Sequence, residues 1–320
     1  MKDTILYYSV GALLYCPANN ETVVKFILDQ KFGCNYSLAF CLEDTIQDDC
    51  VLDAENKLIN TLEQINNNRN IYSFYLPKIF IRVRTAEQML HLSERLKSCS
   101  SIITGFIIPK FSLENADSYI QNLMKINERF SKPVYAMPIY ESASIVDLRS
   151  RYEILYKLKD KLEAIQELVL NIRVGGNDLC HLFGFRRHNH ESIHQIKPIS
   201  NIFSDIITVY GMEYVISGPV WEYYNGTNWQ QGLEKELEDD KLCGFIGKTV
   251  IHPNQIEVVN ESYKVDVQDL ADAKAILNWD QTSNSLVAGN ITRERMNEYK
   301  THTNWAFQTI MLANVFGTKL

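Results

Sequence analysis

The stretch PVYAMPIYESASIVDLRSRYEILYKLKDKLEAIQELVLNIRVGGND, residues 133–178, decides the fold. It opens on the apolar run PVYAMPIY (133–140) and closes on a second, ELVLNIRV (167–174), while Val146 to Leu162 between them carries Leu and Ile at three- and four-residue intervals. Short runs of β-branched and aromatic residues bounded by turn residues read as buried strands, and the spaced segment reads as a helix with one apolar face. A strand, a helix and a strand in that order form a parallel pair with a helical crossover.

Outward from this unit, six further runs have the same character: GALLYC (11–16), SLAFCLE (37–43), KIFIRV (78–83), GFIIPK (105–110), YVISGPV (214–220) and GFIGKTVI (244–251). The eight starts lie 26 to 47 residues apart, the chain that one strand, one helix and two loops require. Ala86 to Lys97 and Asn115 to Phe130 also have helical period. Strict alternation predicts an α/β fold with a parallel sheet, and eight units suit a closed (β/α)8 TIM barrel. An open doubly wound sheet is the alternative, but the Gly-rich dinucleotide fingerprint is absent. We assign residues 1–265 to the barrel and 266–320 to a C-terminal helical extension. The extension reads as a helix (Val267–Trp279), a polar turn region (Asp280–Asn290) and a last helix near Thr292–Phe316. Its apolar positions Met296, Trp305, Phe307, Ile310, Met311 and Val315 exceed what a solvent-facing helix carries, so it is expected to cover a barrel mouth, that of a neighbouring subunit in a homo-oligomer.

The 320 residues hold 32 Lys and Arg against 39 Asp and Glu, a net charge of −7, with no long basic run; a nucleic-acid partner is not expected. The seven cysteines are odd in number and nowhere spaced as C-x-x-C, which fits neither a disulfide scaffold nor a zinc knuckle and suits a reducing cytoplasm. The apolar run Ile5–Cys16 has the length of a signal-peptide core, but Asp3 precedes it, tyrosines interrupt it and no small-residue cleavage site follows. No run approaches the ~18 apolar residues of a membrane span, so no membrane partner is expected.

In a barrel, the chemistry collects just past the strand C-termini. Here these positions hold Glu43 and Asp44, Arg82 and Arg84, Pro109-Lys110, Glu141, and Gly175-Gly176-Asn177-Asp178. Glu141 and Asp178 follow consecutive strands, and two carboxylates with open positions suit Mg²⁺. Ordinary strand-end polarity with a helix N-cap at Asp178 is the alternative.

Seven motifs in order, GALLYCPAN, LEDT, IRVR, GFIIPK, PIYESA, RVGGNDL and GFIGKTVIHPNQI, resemble the citrate lyase beta subunit-like family of the HpcH/HpaI aldolase superfamily. VISGPVWEYY and the tail MNEYKTHTNWA look like its divergent branch of carbon–carbon bond lyases of TIM-barrel fold, associated with tellurium-resistance and stress gene clusters. The resemblance implies Mg²⁺, with Mn²⁺ as substitute, held by Glu141 and Asp178. It further implies a substrate carboxylate gripped by Arg82, with Arg84, Lys110, Gly176 and Asn177 around the substrate. Glu43 and Asp44 would orient metal-bound water or the neighbouring cation, and Glu298 is the nearest match to an acidic lid residue acting from an adjoining subunit of a trimer or larger assembly. The implied activity is that of a lyase or aldolase on a small hydroxy- or keto-acid, a step in a stress-related biosynthetic cluster. Departures stand at Gly11-Ala12, where relatives have Arg-Ser around CoA or phosphate, at Cys41 and at Ser217, where relatives have aspartate. They argue against a CoA thioester and favour the alternative of an altered barrel that binds a ligand or joins a complex.

Other motifs read as structural. His188, His190 and His194 lie beside Arg186 and Arg187, which would repel a cation, so a surface loop is expected rather than zinc. His252-Pro253 should turn the chain into a helix, Trp221, Tyr223 and Tyr224 should pack or stack on a planar substrate, and Leu233–Lys241 should be a solvated helix face.

Overall fold

The computed structural model describes every residue except 1, 281 and 283; the first belongs to the expected barrel unit and the other two to the expected turn 280–290, and all three lie outside the described residues. All eight apolar runs contain strands: β1 (Ala12–Pro17), β2 (Tyr36–Cys41), β3 (Lys78–Arg82), β4 (Ile103–Ile108), β5 (Tyr135–Tyr140), β6 (Ile172–Val174), β7 (Ile216–Ser217) and β8 (Lys248–Val250). They pair in parallel from β7 through β6, β5, β4, β3 and β2 to β1 and then β8, and a bridge between Gly218 and Lys248 closes the barrel. The run Ile5–Cys16 becomes a helical turn (Ile5–Tyr8) followed by β1. Among the described residues no helix is long and apolar enough to cross a membrane.

Continuous apolar runs arise because both faces of each strand are covered. Leu13, Ala39, Phe80, Ile107 and Met137 point into the barrel, where they form one cluster with Val215 and Ile246. Their chain neighbours Leu14, Phe40, Ile81, Ile108 and Ala136 face outward into a second cluster with the helices. The helices Ala86–Arg95, Ala116–Arg129 and Arg151–Glu163 fall within the expected segments or one residue beyond them.

The expected solvated face Leu233–Lys241 holds for Glu234, Lys235, Glu238 and Lys241, which are exposed, and is overturned for Glu236 and Asp240. It lies in the helix Trp229–Cys243, in which Glu236 and Asp240 are fully buried beside Leu233 and Leu237. Lys248 of β8 places its ammonium 3.0 Å from Glu236 and 2.6 Å from Asp240. Arg187 pairs with Glu236 at 3.0 Å and His194 with Asp240 at 2.8 Å. The surface-loop reading of the His/Arg segment is corrected for these two residues: the buried carboxylates draw them inward, because a buried charge without a partner is costly. His188 and His190 stack on each other at 5.8 Å.

The extension also differs from expectation. Residues 287–298 form a hairpin of β9 (Val287–Gly289) and β10 (Met296–Glu298), and the last helix starts only at Tyr299. Met296 and Trp305 stay exposed, whereas other apolar residues of the helix pack on their own chain. Ile310 packs on Ala273 and Ile276, while Met311, Leu312, Val315 and Phe316 close the N-terminal end of the barrel against Tyr7, Tyr8, Val10 and Leu13.

Burial works against charge on His194, but Asp240 and Cys243 hold its pKa up to about 9, above the ordinary histidine value of 6.5. A raised folded pKa adds stability that is fully present below about pH 6.5 and is lost as pH rises through 9. Thermal melting between pH 6 and pH 9.5 should therefore show a falling Tm that is flatter in His194→Gln; equal slopes would exclude the pair as the cause.

Candidate active site

A cavity of about 310 Å³ opens at the C-terminal end of the strands. Tyr15, Arg82, Glu141, Arg173, Asp178 and Thr249 line it. Wider grooves of about 500 and 540 Å³ lie on the flank near residues 253–264, away from the strand ends.

Arg82 is the hub. It ends β3, is 8% exposed, and its Nη2 lies 3.0 Å from Glu43, 3.0 Å from Asp44 and 3.2 Å from Glu141. Lys110 completes the cluster from the end of β4: its Nζ reaches Glu43 at 2.6 Å and its backbone N–H donates to Glu141 at 3.0 Å. That N–H is aimed by a left-handed backbone (φ 48°) that is uncommon for lysine and is typical of strain held at functional sites.

Gly175 explains how Glu141 fits. A Cβ there would lie 2.1 Å from the Glu141 Oε2, and one on Gly176 would lie 2.6 Å from Ile193. The double glycine lets the β6 turn close over the Glu141 carboxylate, and the following helix, Gly176–Phe183, brings in Asp178 in its first turn. Burial pushes the Glu141 carboxyl up to about 8, opposed by Arg82 and reinforced by the like charge of Asp178. The neighbouring pair is driven apart. Burial and the hydrogen bond with Asp44 raise Glu43, whereas Asp44, despite burial, is held below its ordinary value by Glu43, Arg82 and Lys110.

The structure thus brings together Glu43, Asp44, Arg82, Lys110, Glu141 and Asp178, with Gly176 and Asn177 on the cavity wall. Arg84 is placed elsewhere. Its Nε donates to the Leu42 carbonyl at 2.6 Å, its Nη1 meets Asp48 at 2.5 Å, and its Nη2 donates to the carbonyls of Glu43 and Ile46. It braces the loop that presents Glu43 and Asp44 instead of facing substrate. Glu298 is likewise outside the cavity of its own chain: its carboxylate accepts from Thr301 at 2.5 Å and its N–H donates to His302.

Of the departures, Gly11 lies at the opposite end of the barrel, where a Cβ would meet Phe316 at 3.4 Å, so that position concerns the floor and not the substrate. Cys41 lines the cavity, and Ser217 donates to the Ile246 carbonyl at 2.8 Å, knitting β7 to β8. His252 stacks on Tyr224 at 4.6 Å just before the helix Asn254–Ser262, and Trp221 is wholly buried. Sequence reasoning missed Arg173, which sits in β6 and is 1% exposed. The available signal was a cation between Ile172 and Val174 in the middle of an apolar run. Among the described residues no three His, Cys, Asp or Glu side chains converge as a closed metal cage requires.

A search of curated proteins finds no match. Solved structures share the fold. CitE from Mycobacterium tuberculosis, in complex with magnesium, acetoacetate and coenzyme A, superposes with TM-score 0.64 at 18% identity over 97% of this chain and 100% of that one. A citrate lyase from Burkholderia xenovorans LB400 gives TM-score 0.70 at 13% identity over 97% and 93% of the two chains. The citrate lyase beta subunit from M. tuberculosis with oxaloacetate and magnesium gives 0.53 at 17% identity over 81% and 99%. The sequence pattern of the family described as C-C bond lyase of the TIM-barrel fold matches residues 4–318, and the chain belongs to that family.

Proposed function

We propose that this protein is a Mg²⁺-dependent carbon–carbon lyase or aldolase acting on a small hydroxy- or keto-acid. The observation that carries this reading is the meeting of Glu141 and Asp178 beside Arg82 at the cavity wall. Four carboxyl groups (Glu43, Asp44, Glu141, Asp178) share the cluster with two cations (Arg82, Lys110); with all four ionised, the state that a bound cation would favour, 4 − 2 = 2 negative charges remain. That excess matches a divalent cation, and hard oxygen donors in small number match Mg²⁺, with Mn²⁺ as a substitute. The M. tuberculosis structures, which hold magnesium together with keto acids, support the same choice.

Mg²⁺ held by Glu141 and Asp178 would polarise the oxygen that takes up negative charge when the carbon–carbon bond breaks. The chain's own residues supply the rest. Arg82 offers its buried, unpartnered Nε to the substrate carboxylate. Glu43, raised from its ordinary value by burial and by Asp44, is placed to exchange a proton with the substrate, while Asp44, held below its ordinary value, and Lys110 fix its position.

Calorimetry with Mg²⁺ or Mn²⁺ should show affinity lost in Asp178→Asn and reduced on the order of 10- to 100-fold in Gly175→Ala, whose Cβ displaces Glu141. Unchanged affinity in Asp178→Asn rejects the metal site. Arg82→Met should weaken pyruvate or oxaloacetate binding by about 1.5 to 3 kcal/mol; a variant that binds like the parent removes Arg82 from the substrate site. If a hydroxy acid is found that the parent cleaves, Glu43→Gln should lower kcat by roughly 10²- to 10⁴-fold with little change in KM.

A further inference from the structure

Among the described residues six Lys and Arg side chains are buried, and five of them have acidic partners: Lys2 with Glu167, Arg82 with its three carboxylates, Arg151 with Asp205, Arg187 with Glu236, and Lys248 with Glu236 and Asp240. Among the described residues Arg173 is the buried cation whose contacts include no carboxylate. Its Nη2 donates to Thr249 at 2.6 Å and its Nη1 reaches Asn171 at 3.4 Å, while its Nε and the Nδ2 of Asn171 have no acceptor. An isolated buried guanidinium with spare donors is costly unless an anion meets it.

The position of Arg173 says which anion. It lines the same cavity as Arg82, Glu141 and Asp178. In register it sits opposite Ile139 of β5, two residues before Glu141, so it is one layer deeper, roughly 6 to 7 Å along the strand. Tyr15 interacts with both guanidiniums, its ring 5.8 Å from Arg82. The cavity is therefore polarised, with the carboxylate cluster at the mouth and an uncompensated cation at depth.

We propose that Arg173, with Asn171 and Thr249 beside it, seats a second carboxylate of the substrate, so that the site selects a dicarboxylic hydroxy- or keto-acid. The reaction assigned to that acid rests on the lyase reading above; the subsite rests on the buried guanidinium itself. A planar fork of donors matches a carboxylate in two-pronged fashion. One cation balances one carboxylate, whereas a phosphate carrying close to two charges would leave charge uncompensated in a buried place.

The test compares malate with 2-hydroxybutyrate, which puts a methyl group where malate has its second carboxylate, by calorimetry on the Mg²⁺-loaded protein. The parent should bind malate at least tenfold more tightly. Arg173→Met should bind both acids at the parent's affinity for 2-hydroxybutyrate, and Arg173→Lys should keep part of the preference. A parent without preference, or an Arg173→Met variant that retains it, overturns the subsite. If Arg173→Met does not melt like the parent, Arg173→Lys decides, since an undiminished malate preference with the fork removed also overturns the proposal. Phosphoglycolate bound more tightly than malate through Arg173 would overturn the carboxylate assignment. A malate preference that depends on Arg173, in a protein that cleaves no hydroxy acid, keeps the subsite and rejects the lyase reading; cleavage without the preference does the reverse.

Discussion

A barrel is only as sound as its closing seam, and here the seam is thin in backbone bonds. β1 and β2 pair over six residues, whereas β6 with β7 pairs over two and β7 meets β8 through a single bridge. Side chains compensate. Lys248, on the outward face of β8, is clamped between Glu236 and Asp240 one turn apart on the covering helix, and those carboxylates also hold Arg187 and His194 from the loop after β6. A buried lysine that lost either partner would leave an uncompensated charge. The network thus ties β8, its packing helix and the β6 loop into one unit.

That unit matters at the mouth, because the cavity is assembled from the ends of successive strands around the barrel. Arg82 joins the end of β3 to the loop after β2 and to the end of β5, and Lys110 reaches from the end of β4 to both. Four strand ends are cross-linked by two cations, so the carboxylates are held in place before any ligand arrives, as electrostatic preorganisation requires. Arg84 extends the same logic outward by pinning the Glu43-Asp44 loop through its carbonyls.

The strands were legible because burial on two faces leaves an apolar run, whatever the neighbours are, and the strand-end acids were legible because a barrel puts them at one end. The misread charges have one cause. Glu236 and Asp240, or Arg187 and His194, look like surface charge until tertiary pairing is known, since no local period distinguishes a solvated carboxylate from one that meets a lysine on another strand. Arg173 was legible as a cation inside an apolar run, and Arg84 reads as a companion of Arg82 because residues two apart share one face of a strand, but β3 ends at Arg82 and the chain beyond it turns Arg84 away. The hairpin 287–298 lay hidden in a segment whose apolar residues suggested a longer helix.

The floor of the barrel has a kinetic corollary. Tyr7, Tyr8 and Val10, backed by Met311, Val315 and Phe316, pack the lower end with apolar side chains, leaving the strand C-terminal opening as the passage for ligands. A reaction that splits one molecule into two must then discharge both fragments through one door. The fragment nearer the rim departs first and the deeper one is trapped behind it, which imposes an ordered release and makes the last product to leave the natural competitive inhibitor of the next turnover.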